Sequence, residues 1–126
     1  DNMSAQFYDN ALRETYRFPA ASLISAAVVG RFIGPAGKVG RVVNISSVVT
    51  TTLTVAAAAL TVGNNGAALP ATHGIPTLTT ANTGQASTYA ELQGNTDLAA
   101  DTVVELAADG GPGVGAADIV VTVDWY

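Results

Sequence analysis

Hydrophobic positions recur at every second residue along most of this chain. The clearest run is residues 38–55, KVGRVVNISSVVTTTLTV. Its odd positions read Val39, Arg41, Val43, Ile45, Ser47, Val49, Thr51, Leu53 and Val55, six of the nine aliphatic. The even positions, from Gly40 through Asn44 and Ser46 to Thr54, are mostly small or polar. Such alternation sends one face of an extended chain to a core and the other to water, as in a half-buried antiparallel sheet. A straight strand of this length is unusual, so a bulge or break is expected near residues 46–51. The final run, DIVVTVDWY, alternates Ile119, Val121, Val123 and Trp125 against Val120, Thr122, Asp124 and Tyr126. Its odd face is expected to point inward, with Trp125 closing one end of the core.

Shorter segments extend the pattern. SLISAAVVGRFI (residues 22–33), TYAELQ (88–93) and DTVVELAA (101–108) read as further strands, and GPAG (34–37) and the Asn-Asn-Gly at 64–66 as turns. LPATHGIPTLTTANTGQAS (69–87) reads as a long polar loop, and DGGPGVG (109–115) as a hairpin-type connection. Residues 4–17 differ. Tyr8, Leu12 and Tyr16 recur four apart and Asp9 can pair with Arg13, which predicts a short helix stopped by Pro19. The alternative is an extended arm. The expected fold is all-β: one antiparallel β-sandwich or jelly-roll-like domain over residues 34–126. Residues 1–33 precede it as an N-terminal arm and leading strand, with at most one short helix.

Composition changes the picture at the surface. Only 12% of the 126 residues are charged, about half the usual share. A monomer normally surrounds itself with charge, so much of this surface is expected to meet copies of itself or another protein. The net charge of −5 is also uneven. All five basic residues (Arg13, Arg17, Arg31, Lys38, Arg41) fall in the first 41 positions, and residues 42–126 carry seven acids and no base. That polarity favours contact between the N-terminal part and an acidic surface. Nucleic acid is not an expected partner, because phosphate binding needs a basic patch. Nor is a membrane, because no run approaches the roughly 18 apolar residues of a spanning helix. No basic stretch leads into an apolar one at the start, so no secretory signal is expected.

Candidate chemistry is sparse. GPAGKVG has Phe32 and Val39 where a phosphate-binding loop needs a glycine and a Ser or Thr. His73 is the sole histidine and there is no cysteine, which excludes thiolate sites and His-rich metal sites. Asp97, Asp101 and Glu105 are spaced by four, but in strand and turn sequence that spacing does not bring carboxylates together. The sequon at Asn44 lies inside a predicted strand. No catalytic, cofactor or metal residue is assigned, and an enzyme is not expected.

The combination of GPAGKVGRVVNISSVVTTTLTV, a TYAELQ-type strand and a closing GAADIVVTVDWY resembles small structural proteins of tailed bacteriophages, over approximately residues 34–126. The resemblance implies a head decoration or cement protein: a β-sandwich or jelly-roll module, usually a homotrimer. Such a module sits on the capsid exterior of the virion and clamps neighbouring subunits of the major capsid protein. An arm in the place of residues 1–33 commonly reaches across capsid subunits. Arginine and aromatic residues are the usual anchors of an interface. On that ground Phe7, Tyr8, Arg13, Tyr16, Arg17 and Phe18 are the candidates for capsid contact, with Trp125 and Tyr126 as candidates at the other end of the chain. Another virion element (head fibre, tail or shell subunit) and a carbohydrate-binding β-sandwich module using Tyr89 and Tyr126 are the alternatives.

Overall fold

The computed structural model describes residues 12–64, 67–75 (backbone), 80–87, 92 and 97–126. Eight strands run through them: β1 Leu12–Ser22, β2 Ala26–Phe32, β3 Gly40–Thr51, β4 Ala58–Asn64, β5 Ala67–Ile75, β6 Gly84–Ala86, β7 Val104–Asp109 and β8 Ala116–Trp125. They form two four-stranded sheets, β1-β8-β3-β6 (sheet A) and β2-β7-β4-β5 (sheet B). The pairing is nested and antiparallel: β1 with β8, β2 with β7, β3 with β6, β4 with β5. This is the order of a jelly roll, in which one long hairpin is wound into a sandwich. The all-β sandwich expected from the sequence is the fold observed.

Period two explains which side chains meet between the sheets. In β8 the odd residues Ala117, Ile119, Val121, Val123 and Trp125 are each at most 1% exposed. Opposite them lie Leu60 and Val62 of β4 and Val104 and Leu106 of β7, all fully buried. In β3 the phase switches. Gly40 and Val42 point inward, the register shifts between Val42 and Asn44, and from there Ile45, Ser47 and Val49 point inward. The expected continuous odd face therefore starts only after an extra residue at Val43, because a bulge moves every later side chain to the other face. A second shift, between Val49 and Thr51, falls where a break was expected.

Four expectations are corrected. Residues 12–17 are strand rather than helix: the four-residue spacing of Leu12 and Tyr16 is also an even spacing, and tertiary pairing with β8 decides between the two. Residues 4–11, the rest of that helix, lie outside the described residues, as does nearly all of TYAELQ. The polar loop at 69–87 contains the end of β5, with His73 opposite Leu60 across a strand pair, and β6. The 109–115 segment is not a hairpin, because β7 and β8 lie in different sheets. Residues 12–33 supply one strand to each sheet, so the boundary at residue 33 falls inside the roll, and removing residues 1–33 would remove two strands.

Packing around Trp125 sets the tightest tolerance. A Cβ added at Gly34 or at Gly40 would lie 2.5 Å from the indole ring. Gly40→Ala is therefore expected to cost about 1–3 kcal/mol by overpacking, and Leu106→Ala, which empties a fully buried site, about 2–5 kcal/mol. Urea unfolding of both variants checks this; a loss under about 0.5 kcal/mol in either would contradict the packing described.

Candidate functional site: the outer face of sheet A

The sequence candidates divide between two sides of β1. From Leu12 to Phe18 the even residues of this strand share a face with the buried residues of β8, and the odd residues share the outer face. Tyr16 stacks on Phe32 (centroids 3.9 Å apart, planes at 13°), and Phe18 packs against Phe32 and Gly30. The Trp125 indole N–H donates to Tyr16 Oη at 3.1 Å, and the Tyr16 O–H donates to Glu14 Oε2 at 2.6 Å. These contacts close the open side of the sandwich between β1 and β2. Tyr16, Phe18 and Trp125 thus serve the chain's own core, and Trp125, 1% exposed, has almost no area to give a partner. Tyr126 is half-buried and donates its O–H to Asp97 Oδ2 at 3.2 Å. Phe7 and Tyr8 lie outside the described residues.

Arg13 and Arg17 face outward. The register places them in rows that cross the sheet: Arg13–Asp124–Arg41, then Thr15–Thr122–Asn44, then Arg17–Val120–Ser46, then Asp118–Val48. Three of the four arginines of the chain thus share one face with short Thr, Ser, Asn and Val side chains. Arg13 forms a two-pronged pair with Asp124, Nε to Oδ1 at 2.7 Å and the second nitrogen to Oδ2 at 2.9 Å. Those bonds hold the Asp124 carboxyl below its usual range and raise the Arg13 guanidinium. On sheet B, Arg31 pairs with Glu105 at 2.9 Å. Part of the charge polarity of the sequence is therefore satisfied within the molecule, and Arg17 and Arg41 carry the basic character of the sheet A face.

One feature of this face does not follow from the alternation of hydrophobic and polar residues. The β1–β8 register slips between Phe18 and Ala21, where Ala20 takes a left-handed backbone (φ 48°) and its N–H donates to Asp118 Oδ1 at 2.7 Å. Beside the slip lies an open groove of about 200 Å³ lined by Arg17, Phe18, Pro19, Asp118, Ile119 and Val120. Pro19 inside an otherwise extended run is the signal that could have pointed to a bulge.

The carboxylates do not converge. Asp97 accepts from Tyr126, Asp101 accepts from the Gly37 N–H at 2.8 Å, and Glu105 holds Arg31. Among the described residues no three His, Asp or Glu side chains cluster to hold a metal ion. The arrangement offers an outer sheet face of short and basic side chains and, beside the slip, an open groove. Neither the protein-family models nor the curated proteins contain a match to this chain.

Tyr16 gives two measurable consequences. Loss of hydration first, and then the Glu14 bond, push its hydroxyl up from 10.0 to about 12. A raised pKa in the fold means that the stability it contributes is complete below pH 10 and is lost as the pH rises toward about 12. Tyr126, raised by burial and by Asp97, acts in the same direction. Tyr16→Phe keeps the ring but leaves the buried indole N–H of Trp125 without its acceptor, at an expected cost of about 1–3 kcal/mol. Urea midpoints for both proteins across alkaline pH should show that loss at neutral pH and a shallower alkaline decline in the variant. Equal midpoints at every pH would contradict the role assigned to this hydroxyl.

Proposed function

We propose that this chain is a structural virion protein that binds the outer surface of a capsid and stabilises the shell as a decoration or cement protein, with the major capsid protein as partner. The observation that carries the reading is the outer face of sheet A, where Arg17 and Arg41 stand among short Thr, Ser, Asn and Val side chains, on a chain of which only 12% is charged. The bacteriophage-like motifs at 34–55 and 115–126 support it. They form β3 and β8, the two strands at the centre of that sheet.

Binding proceeds by additive contact. One face of one sheet gives a modest interface, and a repeating lattice, with self-association into a homotrimer, multiplies it through avidity. Arg17 and Arg41 select an acidic strip on the partner and set the register of docking. No reaction is involved: the chain acts by occupying a surface, and no catalytic or cofactor role is proposed for any residue. The carbohydrate-binding alternative needs an exposed aromatic platform, and Tyr126, one of its two candidates, is half-buried and tied to Asp97.

The test is co-sedimentation of the purified chain with shells of the virus that encodes it. The Arg17→Glu/Arg41→Glu double variant should fold normally by circular dichroism and bind at least tenfold more weakly. Binding of the unmodified chain should weaken as salt is raised, since exposed charge pairs are screened. Deleting residues 1–11, which leaves all eight described strands in the chain, tests separately whether Phe7 and Tyr8 add to docking. No binding by the unmodified chain, or unchanged binding by the double variant at every salt concentration, would refute the proposal.

A further inference from the structure

The front part of β1 is joined to the rest of the molecule at a strained point. Its register on β8 slips between Phe18 and Ala21, and within the slip Ala20 has φ +48°. That left-handed backbone is unfavourable for a residue with a Cβ. Pro19 beside it has no N–H to add to the ladder. Ahead of this junction no residue from Leu12 to Phe18 is fully buried, whereas β3 and β8 bury side chains along their whole length. A single connection, through Pro19 and Ala20, links the segment to the other seven strands, and its hydrogen-bonded neighbour is β8.

What holds this segment lies beyond the junction. Asp124 grips Arg13 with two hydrogen bonds, the Trp125 indole N–H donates to Tyr16 Oη, and Phe32 stacks on Tyr16 and packs against Phe18. All three partners sit on β8 or β2. A second copy presents the same three groups in the same places, so it receives this strand with the same ion pair, hydrogen bond and ring stack. The complementarity that selects a second copy is therefore that of the fold itself. We propose that residues 12–18 exchange between copies, the strand of one copy pairing with β8 of the next, with Pro19, Ala20 and Ala21 as the hinge.

Strain at the hinge decides which arrangement wins. The contacts of β1 are the same in both, so the difference lies in the hinge and in the freedom lost on association. Opening the hinge lets Ala20 leave the left-handed region, and that relief repeats at every exchanged strand. Against it stands the chain's own β8, which the attached strand meets at an effective concentration on the order of millimolar. Exchange is therefore favoured at high concentration, and it takes place while chains fold, since β1 leaves β8 when the roll opens. Reciprocal exchange closes on two copies and cyclic exchange on three. In either assembly, Arg13 and Arg17 on each outer face of sheet A come from a neighbour, so the face proposed to dock is completed by another copy. The exchange itself does not depend on the decoration reading.

The test uses the isolated full chain, unfolded in urea and refolded at about 10 μM and about 1 mM, concentrations that bracket the competition with the chain's own β8. Concentrated refolding should give dimers or trimers in sedimentation velocity that persist on dilution, because their return to monomer needs the roll to reopen. Ala20 is exposed, so substitutions there act on the hinge. Ala20→Gly, which accepts the left-handed backbone, should lower the oligomer yield by roughly tenfold, and Ala20→Val, which resists it, should raise the yield at the lower concentration. The chain has no cysteine, and Thr15 pairs with Thr122 across β1 and β8. Refolding Thr15→Cys together with Thr122→Cys under mild oxidation should therefore give a disulfide between chains, and the same mixture carrying Ala20→Gly roughly tenfold less of it. A wild-type monomer after refolding at the higher concentration, Ala20→Gly and Ala20→Val shifting the yield in the same direction, or equal disulfide formation in the two backgrounds would each overturn the proposal.

Discussion

The structure depends on one strand, β8, held between β1 and β3 in the middle of sheet A. Both of its edges are hydrogen-bonded, and its odd side chains from Ala117 to Trp125 are all buried in the core. Its pairing with β1 joins residues 111 apart in sequence, as between Arg13 and Asp124. Without that pairing the inner faces of Tyr16, Phe18 and Phe32 have no lid, and the Trp125 indole N–H loses its acceptor. Burial of these apolar faces, more than any ion pair, is the dominant favourable contribution to the fold. A roll closed by its first and last strands also has high contact order, so its folding is expected to be slow for its size.

The surface follows from the same strand. Because β8 lies between β1 and β3, its register determines that Asp124 stands between Arg13 and Arg41, and that Val120 stands between Arg17 and Ser46. A shift of one residue would turn Val121 and Val123 outward and Asp124 into the core, which burial forbids. The pressure that fills the core therefore also fixes the pattern of charge and short side chains that the outer face presents. A site of this kind has no reacting group. On the proposed reading, its specificity lies in the spacing of Arg17 and Arg41 across sheet A and in what a partner must bring to meet them.

Much of the fold was legible in the sequence, because period-two alternation survives wherever a strand has one dry and one wet face. The odd face of β8 and the role of Trp125 could be read directly. Three things could not. The bulge at Val43 reverses the phase of β3 without a glycine or proline to mark it, so Val39 and Val43 looked like core partners of Ile45 and Val49. The spacing of Leu12 and Tyr16 satisfies a helix and a strand equally, and pairing with a strand at the far end of the chain decides it. The destination of each arginine was hidden as well, since Arg13 meets Asp124 and Arg31 meets Glu105 only through strand register. Alternation separates the two terminal aromatics, with Trp125 inside and Tyr126 half-buried beside Asp97.

The central claim is that the first described strand belongs to the roll, held by β8, and is not a free arm. Amide hydrogen exchange of the isolated chain, read residue by residue, tests it most directly. The account predicts that the β1 amides bonded to β8 exchange as slowly as those joining β3 to β8, through global unfolding. Exchange of residues 12–18 at the rate of an unstructured peptide, with β3 and β8 still protected, would contradict it.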